Sequence, residues 1–210
     1  MTIVVHHLEN SRSQRVLWML EELGLPYEVE RYERDPKTML APAELKRVHP
    51  LGKSPVVVDG DAGHTIAETG AIVEYLVEKA GGVLGPPDDR GKALRYRHWL
   101  HYAEGSLMPP LLLKLVLSRI PVMGKVAIKR IQPMIDVHLD YVEGELGRSP
   151  WFAGDELTAA DVMMSFPLEA ARSRAGLDGT RPVIMRWLKA VHARPAYRAA
   201  LARGGAYAYA

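Results

Sequence analysis

The hydrophobic pattern of the first eighty residues changes period several times. Ile3-Val4-Val5 is an unbroken apolar run of strand length, and the polar stretch from His7 to Ser13 reads as a loop. From about Arg12 to Leu23 the apolar residues Val16, Leu17, Leu20 and Leu23 recur at helical spacing. Gly24 stands where a helix closes in the left-handed conformation. Pro26 blocks continuation, and Tyr27 to Tyr32 alternates like a half-buried strand. There follow a helical turn near Pro42 to Val48, the β-branched run Val56-Val57-Val58, a turn over Asp59 to Gly63, and a short strand near His64-Thr65-Ile66. A helix from about Glu68 to Lys79 closes the series, with Ile72, Val73, Leu76 and Val77 facing inward. A β-α-β unit demands parallel strands and a right-handed crossover, and the later hairpin adds antiparallel ones. The pattern therefore predicts a small mixed sheet with helices packed on it.

Gly81-Gly82-Val83-Leu84-Gly85-Pro86-Pro87 breaks this composition and marks residues 81–87 as a linker. It separates an α/β domain over 1–80 from residues 88–210, where no convincing strand occurs. Helices of roughly 88–118, 123–147, 158–171, 181–193 and 196–203 fit the apolar spacing, which predicts an all-α helical bundle. Pro109-Pro110 must kink or interrupt the first of them. Thr158 to Asp161 carries a full helix start: Thr158 as N-cap, Asp161 at the third helical position, and Leu157 with Val162 as the apolar staple. That site reads as purely structural.

Composition narrows the chemistry. With no cysteine among 210 residues there are no disulfides, no thiolate metal sites and no chemistry on a thiol of the protein's own. A sulfur nucleophile has to arrive with a ligand. The eight histidines form no HExxH pattern and no plausible metal pair, and His6 and His7, adjacent on a strand, would point to opposite faces. No metal is expected. A net charge of +2 without a long Lys/Arg block argues against a nucleic-acid partner. The most apolar stretch, Leu107 to Leu117, contains two prolines and a lysine and is too short for a bilayer. The chain opens directly on a strand-like run without the pattern of an export signal, so a cytoplasmic location is expected.

The stretch with the most chemical content is His49-Pro50-Leu51-Gly52-Lys53-Ser54-Pro55-Val56-Val57-Val58, followed by Glu68-Thr69. Pro55 cannot donate to a sheet ladder, so it belongs at the first position or the edge of its strand. If the Ser54-Pro55 bond is cis, the backbone before it is turned outward, available to an extended peptide. Glu68-Thr69 at a helix start offers an acid, a hydroxyl and helix N-terminal N–H groups. Its bland alternative is a capping box, Thr65-x-x-Glu68, although the staple positions His64 and Thr69 are polar.

In four matches taken in order, the chain resembles the cytosolic glutathione transferases of serine type, with a thioredoxin-like N-terminal domain and an all-helical second domain. The matches are Ser11-Arg12-Ser13-Gln14-Arg15 after the first strand, His49 to Pro55 before the third, Glu68-Thr69-Gly70-Ala71-Ile72 at the third helix, and the Thr158–Asp161 box. The resemblance covers nearly the whole chain. It implies glutathione as co-substrate, with Glu68 for the γ-glutamyl ammonium and Thr69 with the helix N-terminus for its carboxylate. The main chain of Ser54, with Pro55 cis, would pair with the cysteinyl unit. Lys53 or His49 would meet the glycine carboxylate; for Lys53 a solvated turn lysine is the alternative.

Ser11, four residues before Arg15, takes the catalytic hydroxyl by the same resemblance. It would act as a donor that favours thiolate over thiol, helped by a helix N-terminus. Asn10 and Ser13 stand as alternates, and a plain N-cap role for Ser11 with Gln14 at the third helical position competes. No tyrosine lies between Met1 and Pro26, so a tyrosine-type site is not open to this chain. A small hydrophobic electrophile is expected against the first bundle helix, near Tyr102, Ser106, Met108 and Leu112. The resemblance further implies a homodimer active in detoxification. Disulfide reduction or peroxide turnover on the same site, and a non-catalytic glutathione-fold binding module, are the alternatives.

Overall fold

A computed structural model of the protein describes residues 3–210. They pack as two compact units, one formed by the chain up to Gly85 together with His192–Ala208, the other by Pro86–Val191 with Tyr209.

The first unit is a four-stranded sheet of order β2-β1-β3-β4, with β1 Ile3–Leu8, β2 Tyr27–Tyr32, β3 Val56–Asp59 and β4 His64–Ala67. β1 pairs in parallel with β2 and antiparallel with β3, and β3 pairs antiparallel with β4. Its helices are α1 Ser13–Leu23, α2 Leu45–Val48 and α3 Thr69–Lys79. The expected β-α-β-α-β-β-α order is what forms. β1, however, runs three residues past Val5, because β2 supplies a parallel partner as far as Leu8↔Tyr32. His6 and His7 therefore lie inside the sheet, on opposite faces, and both are buried. Gly24 closes α1 at φ 62° with its N–H returned to Leu20 and Glu21 carbonyls, as its position predicts.

In the second unit α4 spans Arg90–Tyr102, a π-helical turn Ala103–Leu107, α5 Met108–Ser118, α6 Met123–Leu146, α7 Ala159–Ala175 and α8 Pro182–Ala193. The first expected helix is thus broken where its prolines require. Pro109 and Pro110 have no N–H for the carbonyls of Gly105 and Ser106, and the wider turn just ahead of them absorbs the mismatch. α7 is buried on nearly all sides and forms the axis of this unit. Asp161 sits at its head with Thr158 N and Oγ1 on Oδ2 (2.9 and 3.1 Å) and Phe152 N on Oδ1 (2.9 Å), which is the expected capping box with one further strut. No helix among the described residues is long and apolar enough to cross a membrane.

The last helix, α9 Pro195–Gly204, joins the first unit rather than the bundle to which the span 88–210 assigned it. Tyr197 meets Trp18 of α1 edge-on at 5.5 Å, and Arg194 forks onto both carboxylate oxygens of Glu22. Its end approaches α1 closely: a Cβ on Gly204 would lie 2.8 Å from Gln14 Oε1 and 3.0 Å from Leu17 Cδ1. Both neighbours are buried and cannot swing aside. Gly204→Ala, favourable by helix propensity alone, is instead expected to cost about 1–3 kcal/mol through overpacking. A thermal scan should show this as a fall of several degrees; an unchanged or higher melting temperature would refute the close packing.

Candidate functional site

The strand register gathers one end of the sheet. His6↔Val56 carried two residues on sets Leu8 beside Ser54, and Val56↔Ala67 carried one residue on sets Pro55 beside Glu68. The end of β1, the start of β3 and the start of α3 therefore meet, and the loop from β1 into α1 lies at the same edge.

The turn before β3 closes with Gly52 N on His49 O (2.9 Å), and Gly52 holds φ 57° with the Lys46 stem against it. The Ser54–Pro55 bond is cis, as expected. Ser54 spends its side chain inward: Oγ donates to His6 O (2.8 Å) and accepts from Leu8 N (3.1 Å). That clamp ties the turn to β1, so what this residue presents beyond the clamp is its main chain. Its side-chain role had no signature in the sequence. Lys53 is exposed, and His49 is half-buried with Nδ1 accepting from Leu51 N at 3.4 Å.

Glu68 is the residue before α3, exposed, at φ 70° and ψ 120°, and caps nothing with its carboxylate. Thr65 lies within β4, so the Thr65–Glu68 capping box does not form. A non-glycine residue at positive φ with an unspent carboxylate is a costly conformation, of the kind found at ligand sites. Thr69 follows as the buried first residue of the helix.

In the β1–α1 loop the three candidate donors differ. Asn10, at φ 48°, has Oδ1 occupied by Ala208 N at 2.7 Å. Ser13 is fully buried, and its Oγ lies within hydrogen-bond distance of Leu8 N, Leu8 O, His7 Nδ1 and Ser11 Oγ. Ser11 Oγ meets Ser13 Oγ at 2.7 Å and accepts from Ser13 N at 3.2 Å. It takes part of a cap's role, but the Ser11–Gln14 box is absent, since both amide atoms of Gln14 are buried without a hydrogen-bond partner. His7 is pushed down to about 4, by burial first and by the Arg31 charge second, and is a neutral imidazole at physiological pH. The pairing of Ser13 with His7 was not read from the sequence; the signal was there in a serine two residues after Ser11 and a histidine on the inward face of β1.

The four residues expected to face an electrophile lie at three depths of the second unit. Met108 is buried in its core. Tyr102 and Ser106 are half-buried, with Tyr102 Oη paired to His138 Nδ1, and Leu112 is exposed. Burial, with Tyr141 nearby, pushes the Tyr102 phenol up to about 12, so it stays protonated. Trp99, between Tyr141 (5.3 Å, stacked) and Phe152 (4.6 Å), is a packing residue. Among the described residues no group of three or more His, Asp or Glu side chains is placed to hold a metal ion.

Comparison with known proteins matches residues 11–79 to the model of the glutathione S-transferase N-terminal domain and residues 125–203 to that of the C-terminal domain. Glutathione S-transferase 3 of Schizosaccharomyces pombe is 38% identical over 94% of this chain and 86% of its own length. A crystal structure of a glutathione S-transferase from Actinobacillus pleuropneumoniae superposes with TM-score 0.88 at 32% identity, covering 99% of this chain and 95% of that one. A glutathione transferase family member from Pseudomonas fluorescens, crystallised with two glutathione bound, gives TM-score 0.79 at 26% identity over 95% and 92% of the two chains.

Proposed function

The chain belongs to the glutathione S-transferase family, and from that premise we propose that it binds glutathione at the gathered edge of its sheet and transfers it to small hydrophobic electrophiles. The observation that carries this reading is the strand register, which sets Ser54-Pro55, Glu68-Thr69 and the Ser11 loop side by side. Each end of the tripeptide finds a chemical match there. The Glu68 carboxylate takes the γ-glutamyl ammonium, and the Thr69 hydroxyl with the α3 N-terminus takes the adjoining carboxylate. The Ser54 main chain pairs with the cysteinyl unit, and Lys53, with His49 beside it in the turn, serves the glycine carboxylate. Ser11 donates to the thiolate. Tyr102, Ser106 and Leu112 are the positions proposed to meet the electrophile. The protein is proposed to be a cytoplasmic homodimer with a part in detoxification; sedimentation tests the dimer.

The function is tested by calorimetric titration with glutathione followed by turnover of a chlorodinitroaromatic electrophile. Tight binding with no turnover of that substrate, of a disulfide or of a peroxide would leave a binding module instead. Glu68→Gln is expected to raise the glutathione Kd roughly 10- to 100-fold, the worth of one charge-assisted contact of about 1.5–3 kcal/mol. Melting temperature should not move, because the carboxylate is exposed and caps nothing. A Kd within twofold of wild type would remove Glu68 from the site.

A further inference from the structure

In the second unit α5 ends at Ser118 and α6 begins at Met123, and the chain reverses between them in very little space. Met123 N donates to Pro121 O at 2.6 Å, with Val122 between them at φ 57° and ψ −70°. That is a γ-turn of the rare, strained hand, and a β-branched residue is poorly suited to it. Gly124 packs beneath the turn, where any side chain would meet the Leu117 carbonyl. The result is a narrow apex that presents apolar groups to water. Val122 is 74% exposed and Met123 70%, with Val116, Ile120 and Val126 exposed around them. No charged residue stands between Arg119 and Lys125.

Behind the apex lies a belt of positive charge. Residues 105–135 contain five Lys and Arg and no Asp or Glu, in a chain whose net charge is only +2. Lys114 is half-buried and bonded to Gln132 of α6. Arg119, Lys125, Lys129 and Arg130 are exposed, and among the described residues none of them is paired with a carboxylate. Lys129 and Arg130 follow Met123 along α6 at about 9–10 Å, by the rise of 1.5 Å per residue.

This order along the axis selects the partner. An anionic bilayer offers negative headgroups above apolar chains, and interfacial segments enter it by about 5–10 Å. A small apolar ligand needs a concave site, and the apex is convex. A second copy of the tip would set its cations against these. An acidic protein surface answers the cations but supplies no apolar layer beneath them. We propose that the α5–α6 tip docks the protein on anionic membrane surfaces, with Val122 and Met123 in the acyl boundary and the four exposed cations among the headgroups. The contact is with one leaflet, since no helix among the described residues is long and apolar enough to cross. It requires no glutathione, and it would hold the protein where hydrophobic electrophiles dissolve.

The test is cosedimentation of the whole protein, without glutathione, with phosphatidylcholine vesicles that contain or lack phosphatidylserine. Binding is expected only to the phosphatidylserine vesicles, and should fall at least tenfold between about 0.1 and 1 M salt. Lys129→Gln with Arg130→Gln should weaken it roughly 30-fold, and Val122→Gly with Met123→Ser roughly 10- to 100-fold. Melting temperature should not fall in the second pair, because glycine relieves the strained turn. The chain has no cysteine, so Met123→Cys carries a single environment-sensitive fluorophore, whose emission should shift to the blue on the anionic vesicles. No cosedimentation, or cosedimentation without that shift, would overturn the proposal. Self-association abolished by Val122→Gly with Met123→Ser, without vesicle binding, would assign the apex to a second copy. Retention on polyglutamate that ignores the same pair, again without vesicle binding, would assign the belt to an acidic protein. Either result overturns the membrane. A protein that fails to bind glutathione leaves this test unaffected, so the two readings fail separately.

Discussion

Asp161→Ala is expected to lower stability by about 3 kcal/mol and the melting temperature by roughly 6–12 °C, the largest loss foreseen from one side chain outside the candidate site. The carboxylate is wholly buried and takes three donors: Phe152 N, Thr158 N and Thr158 Oγ1. Alanine leaves all three without an acceptor at the head of the most buried helix, at about 1–3 kcal/mol for each group that cannot find water. The wild-type carboxyl is not at ease either. Burial pushes it from 3.8 up to about 6, against the opposing pull of those donors. A raised folded value means that this group's contribution to stability is complete below about pH 3.8 and is lost as pH rises through 6. Across that window the loss is roughly 3 kcal/mol. Asp161→Asn, which does not titrate, should therefore compare worse with wild type at pH 4 than at pH 7. A constant gap between the two proteins, followed by thermal unfolding across that range, would contradict the raised value.

Residues whose role is local were legible in the sequence. Gly24 ends α1 because the next conformation is left-handed, and Thr158 with Asp161 opens α7 because three spacings agree; neither needs a distant partner. Proline has the same quality, so the break ahead of Pro109-Pro110 could be read, though not that the break takes the form of a π turn. What failed to show was whatever depends on a partner far along the chain. The length of β1 is set by β2, twenty-four residues later, through the register that ends at Leu8↔Tyr32. The attachment of α9 to α1 depends on Arg194 finding Glu22 and on a glycine thin enough to approach Gln14. Within the candidate site, the backbone motif at 49–55 and the pair Glu68-Thr69 could be named, because turn chemistry marks them. The inward use of Ser54 and the partners of Ser13 could not, because a serine looks the same in sequence whether its hydroxyl meets water, a carbonyl or an imidazole.

Ser11→Ala is expected to reduce kcat/KM roughly 25-fold at pH 7, with S-methylglutathione bound as before. A free thiol titrates near ~8.5 and supplies only a few per cent of thiolate at neutral pH. Lowering that value by about two units takes roughly 2.7 kcal/mol of preference for the anion. One hydrogen bond to a charged acceptor contributes about 1.5–3 kcal/mol, and the N-terminus of α1 adds a few tenths to one more. Ser11 is assigned the donation over Ser13, whose Oγ is committed to four neighbouring atoms; Asn10, whose Oδ1 accepts from Ala208 N, stands as the alternate through its Nδ2. The pH dependence separates loss of the donor from general damage. Without the donor, the bound thiol titrates near its ordinary value, so the variant's rate climbs as pH rises and meets that of wild type above about pH 9. A deficit of the same size at every pH would mean that Ser11 supports the loop rather than the thiolate. An unchanged rate at pH 6.5 would move the assignment to the Asn10 amide.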